Sequence, residues 1–280
     1  MEKINFTKMV ASGNDFVITE LRTKNLELRD LAKKVCNRKY GVGADGLLLL
    51  EKTKTADIKM RIFNADGSHA QMCGNGARCA ALYSARNTLS GTGQKPVTSN
   101  QKKIKIETRA GIIESEVNGA NVRIKLTSPK DVKLDVPIKI KGRLIKVNFI
   151  NTGVPHTVIF VEGLDKIDVA DIGREIRQHK EFKPGGTNVN FVQILNDDSI
   201  KVRTYERGVE DETLACGTGS VASALIAAMR YAPCAMRKIN VRTQGGEVLK
   251  VYFDTVGNSF KNVCLEGKAK IVFKGEYNYV

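Results

Sequence analysis

Apolar and polar positions alternate with a period of two over residues 4–7, 16–19, 58–63, 104–108 and 112–117, which predicts half-buried strands. Residues 47–50 are four consecutive leucines, the pattern of a short strand buried on both faces. Residues 26–38 carry apolar side chains at helical spacing and end before Tyr40-Gly41, predicting an amphipathic helix. The same succession returns later in the chain. A strand is predicted over 158–161, a helix over 169–180, strands over 188–195 and 201–205, and two more strands over 241–243 and 247–253.

Two stretches break the amphipathic rule. Residues 78–85 and 221–229 are apolar nearly all round, as in helices buried on every side. Each follows a copy of one short motif, Met72-Cys73-Gly74-Asn75-Gly76-Ala77 and Ala215-Cys216-Gly217-Thr218-Gly219-Ser220. At an offset of 143, residues 73–86 match 216–229 at six of fourteen positions. Gly13-Asn14-Asp15-Phe16 likewise parallels Gly153-Val154-Pro155-His156, and Thr108-Arg109-Ala110-Gly111 parallels Thr243-Gln244-Gly245-Gly246. These repeats imply a duplicated α/β (α+β) chain of two similar domains, each a curved, mostly antiparallel sheet wrapped around a central apolar helix. The turn signal Asn118-Gly119-Ala120-Asn121 sets the expected division. Residues 1–119 then carry Cys73, and residues 120–267 carry Cys216. The strand-like tail, 268–280, has no counterpart ending the first half and is expected to rejoin the first domain.

Composition narrows the function classes. A length of 280 residues and 42% hydrophobic content suit two domains with real cores. No apolar run reaches the length of a membrane helix, and the start, Met1-Glu2-Lys3-Ile4-Asn5-Phe6, lacks a signal-peptide core. A cytoplasmic protein with no membrane partner is expected. The net charge of +15 is spread among strands and turns; in Ile138-Lys139-Ile140-Lys141 the alternation puts both lysines on one strand face. Aromatics are 6% and Trp is absent, so the interleaved aromatics of a nucleic-acid groove are missing, and no nucleic-acid partner is expected. The six cysteines form no Cys-x-x-Cys pair, and three histidines give poor support to a zinc site, so free thiols and no metal are expected. Isolated Cys36, Cys79, Cys234 and Cys264 read as small buried hydrophobes.

The chemistry gathers at the repeated cysteines. A thiol at a helix N-terminus sits beside unpaired N–H groups and the positive end of the helix dipole, which favour its thiolate. Gly74, Gly76, Gly217 and Gly219 allow the backbone to approach a ligand, and the first-turn N–H groups suit a carboxylate. Two such thiols suit removal of a proton from one face of a carbon and its return to the other, with no cofactor required. A redox disulfide between them is the second reading. His156, after Pro155, is a candidate to orient substrate or pair with a thiol, or a structural histidine. Glu206-Arg207 lies just before the second motif, where Arg207 suits a carboxylate or a surface ion pair. Asn14, Asn64 and Asn190 also read as turn residues, Asn64 most of all. Gly41-Val42-Gly43-Ala44-Asp45-Gly46 fits G-x-G-x-x-G, but it follows a helix and opens a strand, the reverse of a dinucleotide site.

With these residues in view, the chain resembles the diaminopimelate epimerases over nearly its full length. The resemblance rests on Gly13-Asn14-Asp15-Phe16, residues 41–46, Phe63-Asn64-Ala65-Asp66-Gly67-Ser68, residues 72–78, Pro155-His156, Gly186-Thr187-Asn188-Val189-Asn190-Phe191, Tyr205-Glu206-Arg207-Gly208 and residues 215–219. It implies a cofactor-independent interconversion of LL- and meso-2,6-diaminopimelate, commonly by a homodimer. It implies Cys73 and Cys216 as the acid/base pair, with Gly74-Asn75 and Gly217-Thr218 binding the reacting α-carboxylate. Asn64, Asn190 and Arg207 would read the distal end, with Asn14 also in the site, and His156 and Glu206 would sit beside the reacting centre. Val154 and Gly46 depart from relatives that carry Asn and Gln there. A proline or hydroxyproline racemase-like enzyme is the nearest rival, although such enzymes usually carry His where Asn75 stands. A basic nucleic-acid binder, or a thiol hydrolase using one Cys with His156, would be the rivals from other classes.

Overall fold

The computed structural model describes residues 2–20, 27–87, 101–231, 237–257 and 259–279. The chain divides into two compact units, residues 1–124 with 267–280, and residues 125–266.

Unit 1 contains β1 (Glu2–Ala11), β2 (Asn14–Thr19), α1 (Leu28–Cys36), β3 (Gly46–Glu51), β4 (Ile58–Asn64), β5 (His69–Ala70), α2 (Gly74–Arg86), β6 (Gln101–Thr108), β7 (Gly111–Asn118) and β8 (Asn121–Lys125). Unit 2 contains β9 (Lys130–Ile140), β10 (Arg143–Asn151), β11 (Pro155–Phe160), α3 (Val169–Arg177), β12 (Asn188–Asn196), β13 (Ser199–Glu206), β14 (Asp211–Thr213), α4 (Gly217–Tyr231), β15 (Lys238–Arg242), β16 (Val248–Val256) and β17 (Ser259–Lys268). β18 (Lys270–Tyr279) returns to unit 1 and pairs antiparallel with β1.

Strand pairing repeats between the units step for step. β2 runs parallel to β3, β3 antiparallel to β4, and β4 parallel to β6, with β5 added to β4. In unit 2, β11 runs parallel to β12, β12 antiparallel to β13, and β13 parallel to β15, with β14 added to β13. β18 holds the place beside β1 that β9 holds beside β10.

Helix α2 packs against β1, β2, β3, β4, β6, β7 and β18, and α4 against β10, β11, β12, β13, β15 and β16. A helix surrounded by its own sheet has no polar face, which is why both read as apolar all round. Ala77, Cys79, Ala80, Ala81 and Leu82 are fully buried, as are Ala222, Ala224, Leu225 and Ile226. Small residues dominate because the sheet closes tightly on the axis. Leu82 and Leu225, equivalent in the repeat, are both fully buried at these centres. Leu225→Ala is expected to cost about 2–5 kcal/mol, from lost burial plus an unfilled cavity, measured by chemical denaturation.

Helices α1 and α3 lie on the other face of their sheets and are amphipathic. α1 buries Leu31, Ala32, Val35 and Cys36 against Ile4, Phe6, Val17, Leu47 and Phe63. It ends at Cys36, earlier than its pattern predicts. Asn37 is extended, and its Oδ1 accepts from the backbone N–H groups of Lys39 and Tyr40, both at 2.9 Å. The predicted start at Leu26 lies outside the described residues. α3 is likewise shorter than expected; it is capped by Asp168, whose Oδ1 accepts from the Asp171 N–H at 3.0 Å, and gives way after Arg177 to a short 3₁₀ turn, Lys180–Phe182.

One strand expectation needs correction. Lys141 is not on the strand face with Lys139: β9 ends at Ile140, and Lys141 has a positive φ of 47° in the turn to β10, with its Nζ ion-paired to Asp171. Cys36 and Cys79 are buried, and burial pushes the Cys36 thiol up to about 12, which makes it inert. Cys264 is half-buried, and Cys234 lies outside the described residues. Among the described residues no helix is long and apolar enough to cross a membrane.

Candidate active site: two cysteine-capped helices

Each motif cysteine stands at the start of its central helix. Cys73 is the N-cap of α2, with extended backbone (φ −144°, ψ 120°). Its Sγ accepts from the Gly76 N–H at 3.4 Å, and its carbonyl accepts from the Ala77 N–H at 2.8 Å. Cys216 precedes α4 in the same way, its carbonyl accepting from both the N–H and the hydroxyl of Ser220 at 2.9 Å. The sulfur therefore occupies the place that Ser or Asp usually takes, among the N–H groups of the first turn. Cys73 is half-buried and Cys216 is 7% exposed.

In unit 1, Asn14 opens β2 beside Cys73, with its Oδ1 3.8 Å from the Cys73 Sγ. Asn75 turns its side chain away from the helix start: its Oδ1 accepts from Arg78 Nη2 at 2.6 Å. Arg78 is fully buried in α2, and also reaches the Ser12 hydroxyl at 2.7 Å and the Lys268 carbonyl at 3.3 Å. This arginine ties the helix start to the β1–β2 turn and the entry to β18; its place inside an apolar helix gave no sequence signal of that role. Asn64 ends β4 exposed, and its side chain donates to the Ser68 hydroxyl at 2.8 Å across the Asp66-Gly67 turn.

In unit 2, Glu206 ends β13 and accepts from the Thr213 hydroxyl at 3.0 Å. Burial raises its carboxyl pKa, against hydrogen bonds from Thr213 and Cys216 that lower it. Glu206 is thus joined directly to the second thiol. Arg207 follows, its backbone N–H donating to Asn188 Oδ1 at 2.9 Å and its Nη1 to the Gly185 carbonyl at 3.0 Å. Among the described residues no ion pair joins it to a carboxylate. Thr218 exposes its hydroxyl to Cys216, 3.6 Å from the Sγ, and its carbonyl accepts from the Thr152 hydroxyl at 3.2 Å.

His156 lies at the start of β11, fully buried. Asn190 approaches its Nδ1 at 3.2 Å through Nδ2, which also donates to the Thr157 carbonyl at 3.0 Å. The Thr204 hydroxyl donates to Asn190 Oδ1 at 3.0 Å, which fixes the amide's orientation. His156 Nδ1 must then accept, so Nε2 carries the proton; it is buried with no partner among the described residues. Burial, reinforced by the Arg207 charge, pulls the imidazole from 6.5 down to about 3. A base whose folded-state pKa is depressed contributes stability that is present above 6.5 and lost as pH falls toward 3. Replacing it by His156→Gln is expected to remove a loss of up to about 1.4 kcal/mol per pH unit over that window, read from denaturation at stepped pH.

Asn190 is fully buried, and both ends of its amide are engaged by His156, Thr157 and Thr204. Asn188, on the same face of β12, binds the Arg207 N–H and the Pro155 carbonyl, at 2.9 and 3.0 Å. Sequence reasoning named Asn190 and passed over Asn188. The alternation puts both on one face of β12, and both are buried there.

Two sheet-wrapped helices, each entered through Cys-Gly-x-Gly, define a duplicated α+β fold. The hydroxyproline epimerase from Agrobacterium vitis, solved with bound trans-4-hydroxy-L-proline, shares it at a TM-score of 0.72. The match covers 99% of this chain and 91% of that one at 16% identity, a likeness of fold alone. Sequence narrows the assignment. The family model described as diaminopimelate epimerase matches residues 6–132 and 148–272. The diaminopimelate epimerase of Aquifex aeolicus is 42% identical over 285 residues, covering 97% of each chain. That of a Hydrogenobaculum species is 40% identical over 287 residues, covering 98% of each. The chain belongs to the diaminopimelate epimerase family.

Proposed function

We propose that the protein interconverts LL- and meso-2,6-diaminopimelate by proton transfer at one α-carbon, without a cofactor. The observation that carries this reading is the pair of cysteines, one per unit, each held at the N-terminus of a buried helix. Inversion needs a proton taken from one face of the carbon and another delivered to the opposite face. A thiolate on one side accepts the α-hydrogen as a proton, the electron pair stays on the carbon and its carboxylate, and the opposite thiol gives up its proton. The two sulfurs exchange protonation states, so atoms and charge balance and the reverse direction uses the same groups.

First-turn N–H groups at Gly74-Asn75 and Gly217-Thr218 hold the reacting carboxylate as its charge grows. Glu206, hydrogen-bonded to Cys216, serves as its proton partner, and neutral His156 supplies its Nε2–H beside the reacting centre. Arg207, lacking a carboxylate among the described residues, takes the distal carboxylate, with Asn64 and Asn14 on the distal amino-acid group. Asn190, which also fixes the tautomer of His156, reads the distal end beside Arg207 in this proposal. In this reading the protein is a cytoplasmic homodimer, which light scattering of the purified chain would test.

The substrate assignment is tested by incubating reduced protein with LL-diaminopimelate and, separately, with L-proline and trans-4-hydroxy-L-proline, resolving the stereoisomers chromatographically. The expected result is meso-diaminopimelate formation and no inversion of either proline. Inversion of a proline alone would transfer the protein to the rival reading.

A further inference from the structure

The G-x-G-x-x-G segment, residues 41–46, lies between α1 and β3. Its backbone is spent on α1: the N–H groups of Gly41, Val42, Gly43 and Ala44 donate to the carbonyls of Asn37, Val35 and Cys36 at 2.9–3.0 Å. These are carbonyls a helix end leaves open, so the loop caps the helix and has no N–H groups left for a phosphate. The glycines permit close contact: a Cβ at Gly41 would collide with the Lys34 carbonyl, one at Gly46 would stand 2.9 Å from the Phe63 carbonyl, and Gly43 has φ +76°.

What the loop delivers is Asp45. Its Oδ2 accepts from Asn14 Nδ2 at 2.7 Å and from the Asp15 N–H at 3.1 Å, and its Oδ1 pairs with Arg38 Nη2 at 2.7 Å. A carboxylate only accepts, so Asn14 must turn its NH₂ toward Asp45 and its carbonyl Oδ1 the other way, toward the Cys73 Sγ 3.8 Å off. The cluster is braced further. Asp15 receives Arg38 at 2.8 and 3.1 Å and the buried Lys8 Nζ at 2.7 Å, and Lys8 also donates to the Gly43 carbonyl. Burial pushes the Asp15 carboxyl up, but the bonds from Arg38 and Lys8 outweigh it and hold the pKa well below the usual range. The charged groups around Asn14 and Cys73 are therefore Lys8 on β1, Asp15 on β2, Arg38 after α1 and Asp45 before β3, with Arg78 inside α2.

We propose that Asp45 is a positioning residue for Cys73: it locks the Asn14 amide so that an acceptor, and not a donor, faces the sulfur. An acceptor favours the thiol S–H and opposes the thiolate. The loop thereby biases Cys73 toward its proton-donating form through a neutral amide, whereas at Cys216 the neighbouring acceptor is the Glu206 carboxylate itself. The catalytic meaning rests on the proposed epimerase reading; the orientation of Asn14 does not.

The test follows alkylation of Cys73 by iodoacetamide against pH, read peptide by peptide by mass spectrometry, in the wild type, Asp45→Asn, Asn14→Leu and the double variant. Without the carboxylate, Asn14 can rotate its NH₂ to the sulfur. The Cys73 midpoint should fall, and its rate at neutral pH should rise about five-fold. Cys216 in the same sample should not move. In the Asn14→Leu background the effect of Asp45→Asn should vanish. An effect of undiminished size there would mean that Asp45 acts through its charge alone, and would overturn the proposal. Should Asp45→Asn not fold, side-chain amide hydrogen exchange of Asn14 in the wild type decides. Slowed exchange is expected, and exchange at the rate of a free amide would overturn it. A wild type inactive on diaminopimelate would remove the catalytic reading while leaving these thiol results intact.

Discussion

Cys73→Ala and Cys216→Ala should each abolish epimerisation, lowering kcat/KM by about 10³-fold or more while leaving the fold intact. Both residues sit at helix starts that their backbone bonds also hold. Losing the sulfur costs at most a weak cap, such as the bond from the Gly76 N–H to the Cys73 Sγ. The Cys73 carbonyl receives the Ala77 N–H, and the Cys216 carbonyl receives Ser220 twice. Removing a sulfur therefore removes chemistry more than structure, and each variant should unfold within a few degrees of the wild type. The equality of the two losses is the informative part. A thiol hydrolase built on one cysteine and His156 would lose activity with one substitution and keep it with the other. A two-base epimerase loses inversion with either, because a carbon deprotonated on one face has no donor on the other.

The second large effect is expected at Gly219→Ala. A Cβ at this position would collide with Asn190 Oδ1, and would stand 3.2 Å from the Cys216 Cβ and 3.3 Å from its Sγ. Asn190 cannot retreat, because Thr204, Thr157 and His156 hold its amide. Either the start of α4 moves, carrying Cys216, or the bond that sets the His156 tautomer breaks. Both displace reacting groups, and a displacement near an ångström costs about 10²-fold in rate. Its equivalent in the repeat, Gly76→Ala, provides the comparison. There a Cβ meets the Leu48 Cδ2 at 3.3 Å and the Cys73 Cβ at 3.6 Å. The leucine tip can yield, so Gly76→Ala should lose much less. Comparable losses at the two positions would mean that the motif glycines serve the ligand alone, with no part for Asn190. Steady-state kinetics on the two variants separate these outcomes.

Much of this architecture was legible because duplication writes the same pattern twice. The all-round apolar runs after Cys73 and Cys216 became helices α2 and α4, and the order of the Gly-rich segment, after a helix and before a strand, excluded a dinucleotide site. Strands β5, β8, β10, β14 and β17 were not read, and β9 was read only at its end, from Ile138. β9, Lys130–Ile140, hides its alternation behind lysines, Pro137 and two aspartates, Asp131 and Asp135, with positive φ. Its partner β10 shifts register at Val147/Phe149 and again at Phe149/Asn151, so no single period runs through either. Lys141 was misplaced because alternation says nothing about where a turn intervenes.

The site was legible in its chemistry and less so in its arrangement. Residue type and motif identified Cys73, Cys216, His156, Glu206 and Arg207 as candidates. That Asn190 meets His156 and Thr204 while Asn188 holds the Arg207 N–H depends on partners 14 to 34 residues away in sequence, which no local pattern records. Arg78 and Asp45 escaped for the same reason. Their roles arise through residues such as Ser12, Lys268, Asn14 and Arg38, brought to them by the fold.

The most direct test of the two-thiol account is to run the wild-type protein on LL-diaminopimelate in D₂O and stop within the first few percent of conversion. NMR and mass spectrometry then read the α-hydrogen of product and residual substrate. Two opposed thiols predict meso product carrying solvent deuterium at the inverted carbon, beside residual LL substrate that is still protiated. Meso product that keeps the substrate's own α-hydrogen would mean that one base carries the proton across, and would contradict the account.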